Sequence, residues 1–111
     1  MAIRSENIYD QVLDYVSYND TSFVTGDSPQ DHDVNTDLGA NGVDGFIDNY
    51  GVGDLQYSLS ADGATFGNNI YLPAGARDDL RGLTGGGVGY GIDTIRITWV
   101  ADTKYVIRVR G

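Results

Sequence analysis

Cysteine is absent from these 111 residues, so no disulfide or thiol chemistry is available and stability must come from packing or association. Histidine and glutamate occur once each, as His32 and Glu6. Relays that pair a nucleophile with a base therefore have little to be built from. Sixteen acids less Glu6 leave fifteen aspartates, but nothing in their spacing singles out two as a carboxylate pair for sugar hydrolysis. No enzymatic activity and no cofactor are expected. No apolar run approaches membrane-spanning length, and the opening Met-Ala-Ile-Arg-Ser-Glu-Asn lacks the apolar core of a signal peptide, so a soluble protein with no membrane partner is expected. Bases are scarce too, seven against sixteen acids for a net charge of -9, which argues against a nucleic-acid partner.

What is present suits one folded domain. Leu, Ile, Val and Phe supply 28 of 111 residues, enough for a core, and the 16 glycines read as turns. Charge is uneven: residues 1–54 hold eleven acids and one base, whereas residues 55–111 hold five acids and six bases. The acidic half can thus supply an anionic neighbour for a cationic element in the other half.

That cationic element is the C-terminal stretch Thr94 to Arg110. Ile95, Ile97 and Trp99 alternate with polar residues, as do Tyr105, Ile107 and Val109. Read as a β-hairpin with the loop Ala101-Asp102-Thr103, it pairs Trp99 with Tyr105, Ile97 with Ile107 and Ile95 with Val109 on one apolar face. Arg96, Lys104, Arg108 and Arg110 fall on the other face, with Arg96 directly opposite Arg108, a like-charge contact that needs an acid nearby.

Upstream, residues 1–8 read as an N-terminal arm in which Ile3, Arg4 and Ile8 are candidate contact residues, and residues 9–111 as the domain. Tyr9 to Tyr18 suits a strand, Ser22 to Thr25 a short strand before the turn Gly26-Asp27-Ser28-Pro29, and His32 to Leu38 a weakly alternating strand ending at Gly39-Ala-Asn-Gly42. Phe46 to Tyr50 and Leu55 to Ser60 follow as strands. Asp62-Gly63 reads as a hairpin turn, Ile70 to Leu72 as its return arm, and Ala76 to Leu83 as a short strand. Glycine density makes Gly85 to Gly91 a mobile loop. The sum is an all-β, antiparallel β-sandwich or jelly-roll-like domain of seven or eight short strands, with no helix expected.

Candidate sites are few. Asp31, Asp33, Asn35 and Asp37 would make a row of hard oxygen ligands for calcium if they shared one strand face, although Thr36 and Gly42 break the EF-hand pattern and a wet outer face explains the row as well. His32 reads as a solvated turn histidine. Asn19-Asp20-Thr21 matches the glycosylation acceptor pattern without a secretion signal to support it. Trp99, Tyr105 and Tyr57 fall on faces that read as core rather than as a sugar platform.

Several segments resemble small virion proteins of tailed bacteriophages, of the head decoration (cement) type. They are Phe23-Val-Thr-Gly-Asp27, Asp33-Val-Asn-Thr-Asp-Leu-Gly39, Gly45-Phe-Ile-Asp-Asn49, Gly53 to Gly63 with Thr65-Phe-Gly67, Asp79-Leu-Arg-Gly-Leu83, and Ile95 to Asp102 with Tyr105. Thr84 to Gly91 looks like an insertion relative to that pattern. The resemblance implies a non-enzymatic β-sandwich seated on a capsid surface in a virion, partnered by a major capsid protein and by copies of itself, commonly as a trimer. Arg96, Lys104, Arg108 and Arg110 would then join the arm as contact residues. Other readings are a neck or tail position and, from Tyr57 to Gly63 with Phe66, a carbohydrate or host-surface binding module.

Overall fold

The computed structural model describes residues 15–111, so the arm over 1–8 and the beginning of the strand expected from Tyr9 lie outside the described residues. Among the described residues there are eight strands: β1 Tyr15–Phe23, β2 Gln30–Asp33, β3 Asp44–Asn49, β4 Leu55–Ser60, β5 Ile70–Leu72, β6 Arg77–Asp79, β7 Thr94–Trp99 and β8 Thr103–Arg110. A 3-10 turn, Thr25–Asp27, and a short helix, α1 Val34–Leu38, interrupt them. The strands form two antiparallel four-stranded sheets, in the orders β1-β8-β3-β6 and β2-β7-β4-β5. This is an all-β sandwich with the strand order of a jelly roll.

Period-two alternation places the core. Ile47 of β3 and Tyr105, Ile107 and Val109 of β8 face inward from the first sheet, and Leu55, Tyr57 and Leu59 of β4 and Ile95 and Ile97 of β7 from the second, all essentially excluded from solvent. Each such side chain contributes about 1.5–3 kcal/mol on burial. Phe23, Val34, Leu72, Leu80 and Ile92 close the ends of the same cluster. Within the first sheet, β3 and β8 approach too closely at one point for any side chain but hydrogen. Gly45 has φ +150, and a Cβ there would lie 2.0 Å from the Arg108 carbonyl oxygen.

Two tyrosines cross between the sheets near opposite edges. Tyr105 starts on β8, and its hydroxyl meets His32 Nε2 at 2.8 Å and donates to Gln30 Oε1 on β2. Tyr57 starts on β4 and donates to Asp78 Oδ2 on β6 at 2.8 Å. Both rings are core, as the alternation indicates, while the hydroxyls find acceptors at the rim. Burial, with the nearby carboxylates, pushes both phenols above their ordinary value.

The C-terminal pairing expected from the sequence does not form. β7 pairs with β2 and β4, whereas β8 pairs with β1 and β3, so the two strands belong to different sheets. Val100–Asp102 arches across the end of the sandwich, and Thr103 is a buried strand residue rather than part of the loop. Their apolar faces still meet, but across the core and not side by side. Arg96 and Arg108 consequently lie on opposite outer surfaces, which removes the expected like-charge contact.

Four smaller expectations change as well. β1 is one strand through Phe23, with an irregularity between Asp20 and Phe23 where a break had been expected. The strand expected over His32–Leu38 ends at Asp33, which accepts from the Thr36 backbone N–H at 3.1 Å and its hydroxyl at 2.8 Å and so caps α1. Gly39, at φ 87, terminates it. The β4–β5 connection spans residues 61–69 rather than a two-residue turn. Finally, Gly85–Gly91 is pinned rather than loose, as described below.

Candidate functional site

The outer face of the first sheet collects most of the described cations. On β8, alternation turns Lys104, Arg108 and Arg110 outward, and β6 adds Arg77. Arg108 lies between Ser17 of β1 and Phe46 of β3, and Asp48 of β3 opposes Arg77. Three of these cations are laid over rings: Arg77 over Phe46 at 3.8 Å, Lys104 over Tyr50 at 5.3 Å and Arg108 over Tyr15 at 5.6 Å. Arg110 instead meets Asp44 Oδ2 at 3.2 Å, and Arg81 meets Asp44 Oδ1 at 3.5 Å. Partial desolvation works to raise the Asp44 carboxyl, but the Gly45 N–H and the two guanidiniums outweigh it and hold it below the usual carboxylate range. A groove of about 960 Å³ runs along this face beside Tyr15, Phe46, Arg77, Arg108 and Arg110.

Of the contact candidates expected from the sequence, Lys104, Arg108 and Arg110 stand together here. Arg96 does not join them. It lies on the outer face of the second sheet, bound to Asp31 at 2.8 and 3.0 Å and 3.9 Å above the Phe66 ring, so the acidic neighbour expected for the basic stretch exists for this residue in cis. Ile3, Arg4 and Ile8 lie outside the described residues. Arg77, Phe46, Tyr15 and Tyr50 carry no sequence signal of their own. A three-residue strand shows no periodicity, and their grouping depends on which strands pair.

The candidate calcium row is dispersed. Asp31 holds Arg96, Asp33 caps α1, Asn35 donates to Asn41 at 2.8 Å, and Asp37 accepts from Tyr18 at 2.6 Å. The first two sit on β2 and the last two on α1, so they share no face, and no metal-holding cluster of acids and histidine occurs among the described residues. His32 is half-buried rather than solvated. Its ring stacks on Tyr18 at 4.4 Å, and burial lowers its pKa below 6.5 despite the carboxylates of Asp20, Asp31 and Asp37. Trp99 is half-buried, its indole N–H donating to Asp102 at 2.9 Å, and Asn19 accepts from the Tyr50 hydroxyl at 2.9 Å.

A second feature lies at one end of the sandwich, where the β2–β3, β4–β5 and β6–β7 connections gather. Asp62 accepts from the backbone N–H groups of Ala64, Thr65 and Val88 and from the Ser60 hydroxyl. Those donors, the Thr65 and Ala64 N–H groups foremost, hold its carboxyl well below the usual range. Gly86 and Gly85 are stitched by N–H to Leu59 and Gly91 carbonyls at 3.0 Å, and Asn41 donates to the Tyr90 carbonyl at 2.9 Å. A Cβ on Gly85 would come 2.3 Å from the Ser60 carbonyl carbon, so glycine lets this loop press against β4. The result is a fixed loop that leaves Val88 and Tyr90 85% and 69% exposed.

No family model, curated protein or solved structure matches this chain.

Proposed function

We propose that this chain is a non-enzymatic structural protein of a bacteriophage virion, a cement protein that docks on the surface of an assembled head and reinforces it. The observation that carries the reading is the outer face of the first sheet. On a chain of net charge -9, it gathers four of the seven bases and lays three of them on aromatic rings. Arginine and tyrosine are the side chains that dominate binding energy at protein interfaces, and ring-stacked guanidiniums lose little freedom on docking. A broad face of this kind fits an acidic protein surface better than it fits a small ligand. The jelly-roll order adds a fold-level analogy, since viral capsid and lectin domains share it. The partners are the major capsid protein and further copies of this chain, with the arm over 1–8 engaged alongside the face.

The test is cryo-electron microscopy of heads assembled with the protein, comparing wild type with the pair Lys104→Glu and Arg108→Glu. Regular density over the shell that is lost in the charge-reversed form is the expected result. Density confined to one vertex would assign a neck or tail position, and absence of the wild-type protein from particles would overturn the reading. A sugar-binding reading is favoured by one feature, a recess of about 530 Å³ on the second sheet where Asn68, Asn69, Ser58 and Thr98 surround Phe66 and Arg96. Binding of the wild type to a glycan array, lost on Asn69→Ala, would support it.

A further inference from the structure

Gly85–Gly91 poses a physical question. Glycine-rich segments lose more freedom than any other on ordering, yet this one is fixed at its base and along its length, and what it holds out to solvent is Val88 and Tyr90. An exposed apolar pair on a pre-ordered loop has already met the entropic cost of binding. Its surroundings are acidic: Asp62 and Asp93 flank it, and no base lies between Arg81 and Arg96. The groove on the first sheet is the complement. It is walled by Tyr15 and Phe46 and rimmed by Arg77, Arg108 and Arg110, which outnumber its two acids, Asp79 and an Asp44 already occupied by Arg110 and Arg81.

We propose that the Val88–Tyr90 tip of one copy seats in the Tyr15–Phe46 groove of a second copy of this chain. The proposal rests on the reading of that sheet face as a contact surface and names one partner for it. Among the described residues, none of the loop lines the groove of its own chain. The two patches nevertheless share one end of the molecule. Gly42 N–H reaches the Ile92 carbonyl at the base of the loop, and Val43 N–H reaches the Arg110 carbonyl at the end of the groove, both at 2.8 Å. Tip and groove are different surfaces, so the contact is either exchanged reciprocally about a two-fold axis or repeated head to tail, in a ring or an open filament.

Sedimentation velocity on the isolated full chain, over a concentration series at low and high salt, tests it without any capsid present. Wild type should self-associate, more weakly as salt rises, because part of the attraction is between charges near the surface. The double variant Val88→Ser with Tyr90→Ser, and separately Arg108→Glu, should each weaken association by about tenfold or more while keeping the wild-type circular dichroism. Mixing the two variants should restore a one-to-one pair, because each retains the half the other lacks. Wild type that stays monomeric throughout, a tip variant that associates as wild type does, or a mixture that regains nothing would each overturn the proposal. Particle occupancy is a separate readout: wild type that self-associates but never joins a head would remove the capsid reading and leave the tip-to-groove contact standing.

Discussion

Asn49 joins the two sheets at the end opposite the loop cluster, and replacing it by aspartate is a sharp test of how that end is held. The side chain is fully buried. Its amide donates to the Gly53 carbonyl at 2.9 Å and to the Leu72 carbonyl at 3.1 Å, while its oxygen accepts from the Thr103 hydroxyl at 2.7 Å and the Gly51 N–H at 3.3 Å. Asn49→Asp keeps the shape and the accepting oxygen but replaces both donated hydrogens with a second acceptor aimed at two carbonyls. Each buried group left unpaired costs about 1–3 kcal/mol, so a loss of about 4 kcal/mol is expected at pH 7, or roughly 15 °C in Tm. Burial and the facing carbonyls raise the folded-state pKa of the new carboxyl above its unfolded value near 3.9. A raised folded pKa means that the protonated form's stability is complete below the unfolded pKa and is lost as pH rises through the folded one. The gap between variant and wild type should therefore narrow in urea melts at pH 4, where the protonated carboxyl donates one of the two missing bonds. A gap below about 1 kcal/mol at pH 7, or one of equal size at both pH values, would refute the role assigned to the amide.

His32 gives a second pH test with the opposite sign. Burial lowers its folded pKa below 6.5, so its contribution is complete above 6.5 and is lost as pH falls from 6.5 through the folded value; His32→Asn should flatten that limb of the stability-against-pH curve. Tyr105→Phe strips the bridge between β8 and both Gln30 and His32 and should cost about 1–2 kcal/mol in urea melts, with Tyr57→Phe costing about 1 for its single bond to Asp78. Gly45→Ala forces a methyl against the Arg108 carbonyl and should destabilise by about 3 kcal/mol or more by the same measurement, whereas Ala at Gly26, with nothing within 4 Å of its Cβ, should be near neutral.

Much of the fold is written in local pattern. The alternation Ile95-Ile97 and Tyr105-Ile107-Val109 marks two half-buried strands whatever they pair with, and the clean alternation of Leu55, Tyr57 and Leu59 marks a third. Glycine clusters mark where strands end. The short helix was legible in principle, because Asp33 three residues before Thr36 and Gly39 at the close are capping signals, but five residues of weak alternation obscured them. His32 was not legible as a half-buried residue, since its burial comes from Tyr18 and Tyr105, 14 residues before it and 73 after it in the chain.

The contact face divides in the same way. Lys104, Arg108 and Arg110 share a face because they sit two or four residues apart on one strand, and period two requires it. That Arg96 is absent from this face, and that Arg77, Phe46, Tyr15 and Tyr50 complete it, follows from strand pairing. By itself the sequence determined that the strands before and after Val100–Asp102 each turn an apolar side inward. Side by side in one sheet, or facing each other from two, they would bury the same residues, so alternation is silent between the two. Only the tertiary structure decided, because β1 and β3 offer β8 two full edges of backbone hydrogen bonds while β2 and β4 offer the same to β7. A lone hairpin would have left one edge of each strand unpaired.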